Sequence, residues 1–123
     1  MSSMLVAAAA PKVARCGADV VARVNRPWRL CLRDMEAVVS RGICALMLPK
    51  TESADHVRMV AEVLDELEAE RGLPRGHTQL VLMIESASAF FRAQEIAAAH
   101  ARVVALTLGA EDFARSVGMV PEA

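Results

Sequence analysis

The chain has 123 residues, of which 54% are hydrophobic, and its 14 basic and 15 acidic residues leave a formal net charge of −1. That length fits one domain with a real core, and charges this evenly balanced and dispersed exclude the one-sided basic footprint of a nucleic-acid binder. With three Phe, one Trp and no Tyr, the apolar mass is Ala, Val, Leu, Ile and Met, as in an α/β protein rather than an aromatic-rich β sandwich.

Cys16, Cys31 and Cys44 lack metal-type spacing and sit beside apolar residues, which reads as reduced, buried thiols in a cytoplasmic protein. No apolar run approaches the roughly 20 residues needed to span a bilayer, so no membrane partner is expected. The start, MSSMLVAAAAPKVARCG, has no basic stretch ahead of its apolar run and is not read as a secretory signal. Lys12 and Arg15, with no acid before Asp19, leave a transit peptide as the alternative. Residues 1–16 are taken as an N-terminal segment, helical or disordered, and 17–123 as the folded domain.

From there strand and helix patterns alternate. ADVVARVN (Ala18 to Asn25) is rich in β-branched residues and reads as a strand, followed by a basic, Pro-containing loop, RPWRLCLR. Asp34 is placed to cap a short helix, DMEAVVSR, with Met35, Val38 and Val39 on one face and Gly42 ending it. ICALML (Ile43 to Leu48) is a continuous apolar run stopped by Pro49, as expected of a buried parallel strand. Ser53 then caps the clearest helix, in which Val57, Val60, Leu64 and Leu67 repeat at helical spacing. Glu62, Asp65, Glu66 and Glu70 lie opposite, and Gly72 with Pro74 closes the element. LVLMIE (Leu80 to Glu85) is the third strand, and AFFRAQEIAAAHA (Ala89 to Ala101) a third helix with Phe90, Ala93 and Ile96 or Ala97 on one side. VVALTL is the fourth strand, and a short helix around Glu111 to Val117 stops at Gly118. Four β/α units with short connections predict a parallel sheet with right-handed crossovers.

Two of the apolar runs end on acids, Glu85 and Asp112. At the C-terminal ends of neighbouring parallel strands, side chains converge on one mouth. Two carboxylates there fit a hard divalent cation held by oxygen ligands. They equally fit acids capping the helices that follow.

GADVV, RVN, LPKTES, IES and LGAED occur in this order between about Gly17 and Gly118. The ordered set resembles the citrate lyase β-subunit family, within the HpcH/HpaI aldolase/citrate lyase class of metal-dependent lyases and aldolases. The resemblance implies a (β/α)8 TIM barrel with its active site at the C-terminal mouth. It implies Mg2+, or Mn2+, bound by Glu85 and Asp112, and a substrate carboxylate held by Arg23 together with Glu85. The implied reaction is retro-aldol or retro-Claisen cleavage of a citryl- or malyl-type thioester; a related 2-oxo acid aldolase shares the same logic. The family's acidic segment, reading like DLEDAV ahead of the RVN strand, is missing here, since Val21 and Ala22 run straight into Arg23. A full barrel takes about 250 residues, so the resemblance covers roughly half of one, and the isolated chain's catalytic competence stays open against a non-catalytic remnant or interaction module. Exposed sheet edges then predict a homo-oligomer or association with a complementary chain.

The residues themselves carry alternatives. Arg23, flanked by Ala22 and Val24, needs an anion, either a substrate carboxylate or a neighbouring acid. Lys50, after Pro49, is placed to position a carboxylate or form an imine, or is simply solvated. Glu52 near a helix start either helps organise the site or serves the helix dipole. Gly109-Ala110-Glu111 offers backbone N–H groups to an anion, or only a tight turn. His56, His77 and His100 lack ligand spacing and read as surface or packing residues, and no general acid or base stands out.

Overall fold

The computed structural model describes residues 20–108. Four parallel strands lie in one sheet in chain order: β1 (Val21–Arg23), β2 (Ala45–Leu48), β3 (Gln79–Ile84) and β4 (Val103–Leu108). Helix α1 (Trp28–Val38) joins β1 to β2, and α2 (Ala54–Glu70) joins β2 to β3. Two short helices, α3 (Ala87–Phe91) and α4 (Ala93–Ala97), join β3 to β4. A strictly sequential strand order is that of a (β/α) barrel wall, whereas a doubly wound sheet reverses direction part-way across. The fold is therefore α/β and part of a barrel.

The two faces of the sheet differ. Ala22, Leu46 and Leu80 stand in register, as do Leu48 and Leu82, and with Val24 and Ile84 they are fully buried beneath the helices. Helix α1 meets them with Cys31, Met35 and Val38, and α2 with Val57, Val60, Leu64 and Leu67. The opposite face carries Arg23, Met47, Val81 and Ala105 in one row. On β4, Leu106 and Leu108 register with buried Leu82 and Ile84, yet they are 38% and 60% exposed. Among the described residues nothing covers them.

Three expectations need correction. The segment read as a basic loop is the first half of α1, which starts at Trp28 behind Pro27, with Cys31 N–H bonding Pro27 O at 2.8 Å. Cys31, Met35 and Val38 form its buried stripe, while Arg29 and Arg33 lie on the exposed side, so the basic residues mark a solvated face and not a loop. Asp34 is mid-helix and caps nothing; its Oδ2 accepts the backbone and side-chain N–H groups of Asn25, each at 2.8 Å, and ties the end of the first strand to α1. The third helix is two short ones meeting at Arg92, with Ala89 and Ile96 buried and Phe91 84% exposed. The short helix expected around Glu111 to Val117 lies outside the described residues.

The acidic side of α2 is not all solvated. Arg102, just ahead of β4, is 3% exposed and grips Glu68 through two parallel bonds of 2.6 and 2.8 Å. It also donates to Asp65 Oδ1 at 2.6 Å and to Thr78 O at 2.8 Å. Glu68, 1% exposed, accepts Gly76 N–H at 2.9 Å and Thr78 N–H at 2.7 Å as well. Burial by itself raises the Glu68 carboxyl, but the Arg102 guanidinium and the two backbone donors outweigh it and bring it down to about 2. The network clamps the N-terminal ends of β3 and β4 to α2, the end of a barrel associated with stability rather than chemistry.

Candidate active site at the strand C-termini

Because the strands run parallel, Leu48, Ile84 and Leu108 end β2, β3 and β4 toward one rim, whereas Arg23, which ends β1, registers with Met47 and Val81, one and three residues short of the ends of β2 and β3. Glu85 follows β3 there. The next residue, Ser86, is the N-cap of α3, its hydroxyl accepting Ala89 N–H at 3.1 Å. Glu85 is therefore not the cap, and the capping explanation for this acid falls away. Its Oε2 instead accepts the backbone N–H of Lys50, from the β2–α2 turn, at 2.5 Å.

Arg23 shares the face of Met47 and Val81, and among the described residues no carboxylate pairs with it. Glu85 is the first residue after β3, four positions beyond Val81, and continued strand alternation would put it on the same face about 13 Å further along. The two frame opposite ends of one surface rather than forming a direct pair. Asp112 and the Gly109-Ala110-Glu111 segment lie outside the described residues.

Lys50 adopts φ 49, a left-handed conformation unusual for a residue with a Cβ, and its side chain is exposed. Glu52 meets Arg26 at 3.4 Å, and the Arg26 guanidinium lies 5.7 Å from the centre of the Trp28 ring. His56, on the first turn of α2, is buried edge-on to Trp28, and its Nδ1 faces the Glu52 N–H at 3.4 Å. Burial, with Arg26 nearby, lowers His56 to about 4, against a smaller opposing pull from Glu52. It is a neutral packing residue. His77 binds Ser40 O, and His100 Nδ1 accepts Arg102 N–H, so both serve the backbone.

Among the described residues no three His, Cys, Asp or Glu side chains gather as a metal cage. Magnesium does not require one, since it keeps several waters and is commonly held by one or two carboxylates plus substrate oxygens. Glu85 fits that donor chemistry: it is a hard oxygen ligand at the rim, and one N–H uses only part of the roughly four acceptor directions of a carboxylate. Reasoning from sequence missed the Lys50–Glu85 contact, the Asp34–Asn25 tie and the Arg102 network. Only the last had a signal, a lone arginine (Arg102) directly ahead of an apolar strand.

The profile of the HpcH/HpaI aldolase/citrate lyase family matches residues 3–123. The chain is 35% identical over 100 residues to citrate lyase subunit beta of Haemophilus influenzae, covering 80% of this chain and 34% of that one. It is 40% identical over 90 residues to L-malyl-CoA/beta-methylmalyl-CoA lyase of Rhodobacter capsulatus, covering 71% and 28%. The citrate lyase beta subunit of M. tuberculosis, complexed with oxaloacetate and magnesium, superposes with a TM-score of 0.61 at 31% identity, covering 82% of this chain and 39% of that one. The chain thus spans about a third of the length of the curated relatives it matches. Parallel strands in barrel order, an acid at their C-terminal rim and these matches agree: the chain belongs to the HpcH/HpaI aldolase/citrate lyase family.

Proposed function

We propose that this chain contributes part of the active-site mouth of a magnesium-dependent carbon–carbon lyase, acting on a carboxylated acyl-thioester of the citryl or malyl type. The observation that carries the reading is Glu85, an acid at the sheet rim that caps no helix. In this reading Glu85 and Asp112 hold Mg2+ or Mn2+, and Arg23 anchors the substrate carboxylate. Bound there, the ion supplies Lewis-acid stabilisation of the negative charge that develops on a carbonyl oxygen as the C–C bond breaks. Arg23, without an acidic partner among the described residues, offers a fork that matches a carboxylate in two places. Its separation from Glu85 suits a small ligand lying between them.

The test is cleavage of malyl- and citryl-thioesters by the chain with Mg2+ present, its loss in EDTA and its return with Mn2+. Turnover lost in Arg23→Met and Glu85→Gln supports the reading. Turnover unchanged by EDTA contradicts it. A second reading, a non-catalytic piece of this fold that serves assembly with another copy or a complementary chain, is favoured by the uncovered Leu106 and Leu108 on β4. A folded, oligomeric chain with no turnover would select it.

A further inference from the structure

We infer that the β2–α2 turn is a positioning device for the rim carboxylate: the left-handed Lys50 aims its own backbone N–H at Glu85 and fixes the direction in which that acid presents its remaining oxygen. The inference rests on the reading of Glu85 as a metal ligand and goes beyond it by assigning the part of the fold that orients it.

The turn is held from three sides. Pro49, buried, restricts its entry. Thr51, 1% exposed, donates its backbone N–H to Met83 O at 3.0 Å and its hydroxyl to Leu48 O at 2.9 Å. The turn is therefore stitched to β3 two residues before Glu85 as well as to the end of its own strand. Between these fixed points Lys50 takes φ 49. Left-handed backbone is costly for a residue with a Cβ and persists where its surroundings over-determine it. Here the return is the N–H placed on Glu85 Oε2. Met83 O and Glu85 Oε2 thus receive consecutive amides, Thr51 and Lys50, so turn and strand end move as one body.

A carboxylate whose one oxygen is pinned by a fixed amide loses rotational freedom before any ligand arrives. A metal ligand prepared in this way binds more tightly because that ordering no longer opposes binding. The ammonium of Lys50 has no part in this, and the side chain lies exposed. The role belongs to the backbone of Lys50 and not to a charged group at the mouth.

The experiment compares four substitutions of Lys50, with Glu85→Ala as the control for the contact. Lys50→Ala removes the ammonium and keeps the N–H and the backbone demand. Lys50→Gly keeps the N–H and permits the left-handed turn freely. Lys50→Val penalises that turn, and Lys50→Pro removes the N–H and forbids the conformation. Mn2+ binding is followed by electron paramagnetic resonance, with thermal melts establishing which variants fold. The Lys50 amide proton is followed by 1H–15N spectroscopy in the parent and in Glu85→Ala, where it should move upfield. The expected result is affinity in the Gly and Ala variants within about twofold of the parent, and a loss of roughly tenfold or more, the lower end for outer-shell partners, in the Val and Pro variants that remain folded. Equal affinity across all folded variants, with the parent binding Mn2+ through Glu85, overturns the positioning role and leaves the metal reading standing. A weakened Ala variant transfers the role to the ammonium and also overturns it. No Glu85-dependent binding by the parent overturns both, and the amide shift then reports whether the contact itself exists.

Discussion

Replacing Arg102 with Met removes the cation that, among the described residues, is buried between α2 and the bases of β3 and β4. In the parent, its guanidinium satisfies both oxygens of Glu68, one of Asp65 and the carbonyl of Thr78. In Arg102→Met, Glu68 stays buried with only the Gly76 and Thr78 amides for company. Removing one member of a buried pair costs about 3–5 kcal/mol, because the remaining charge is left uncompensated. That is a large share of the 5–15 kcal/mol by which domains are typically stable, and for a domain of this size it means a melting point lower by very roughly 12–30 °C. The cost is conditional on Glu68 being ionised. In the parent, Glu68 titrates at about 2, held down against burial by Arg102 and the two amides. Without Arg102, burial prevails and the carboxyl takes up a proton at higher pH, so the variant's deficit shrinks as pH falls toward 4. The double variant Arg102→Met/Glu68→Gln should be more stable than Arg102→Met alone, since a neutral amide still accepts from one backbone N–H. Urea denaturation of the four members of the cycle at pH 7 and pH 4.5 measures this. Asp65→Asn, at the more exposed edge of the network, keeps the test informative if Arg102→Met does not fold. A loss below about 1 kcal/mol for Arg102→Met, the level of a surface pair, or strict additivity in the cycle would refute the account of this network.

Acid should weaken the fold in two stages. His56 is lowered to about 4 in the folded chain, so the unfolded chain binds the extra proton between the ordinary histidine value and that one. Stability is then complete above about 6.5 and declines as pH falls toward 4; melts of His56→Gln should show that decline flattened, and an unchanged profile would contradict the assignment. Glu68 acts below this: its contribution, roughly 3 kcal/mol, is present above its unfolded value and is lost as pH falls through about 2. Cys31 is buried, and desolvation first, then Asp34, raise its thiol to about 11, with Arg26 pulling the other way. It should resist a disulfide reagent at pH 8 until urea unfolds the chain, and rapid native labelling at Cys31 by peptide mapping would contradict its burial. Ser53 caps α2 through His56 N–H at 3.1 Å, so Ser53→Ala should cost about 1 kcal/mol in urea, and no measurable loss would remove the cap from the account.

Much of the architecture was legible because the buried positions obey simple periods. Val57, Val60, Leu64 and Leu67 announce α2, and Leu80, Leu82 and Ile84 alternate along β3. The failures share one cause, that charge was read locally. Arg29 and Arg33 made a helix look like a loop, Asp34 looked like a cap because it preceded apolar residues, and Asp65 was read only as one of the acids opposite a buried stripe. The two acids were decided by partners outside their own segment, Asn25 for Asp34 and Arg102 for Asp65, and the arginines by the buried stripe of α1 on the opposite side. For the site, the apolar run ending on Glu85 was enough to set that acid just after the end of β3, and Arg23 was legible as a strand residue. The Lys50–Glu85 contact was not legible, because it depends on a backbone torsion at a residue whose identity gives no hint of it.

The most direct test is a thermal unfolding scan of the chain with and without Mg2+, in the parent and in Glu85→Ala. A ligand at about 100 times its dissociation constant adds roughly 2.7 kcal/mol to the folded state, an upward shift of about ten degrees or more for a domain of this size. The account predicts that shift in the parent and its loss in Glu85→Ala. A cooperative transition that ignores Mg2+, or one that rises equally in both proteins, would contradict Glu85 as a metal ligand and with it the proposed lyase chemistry.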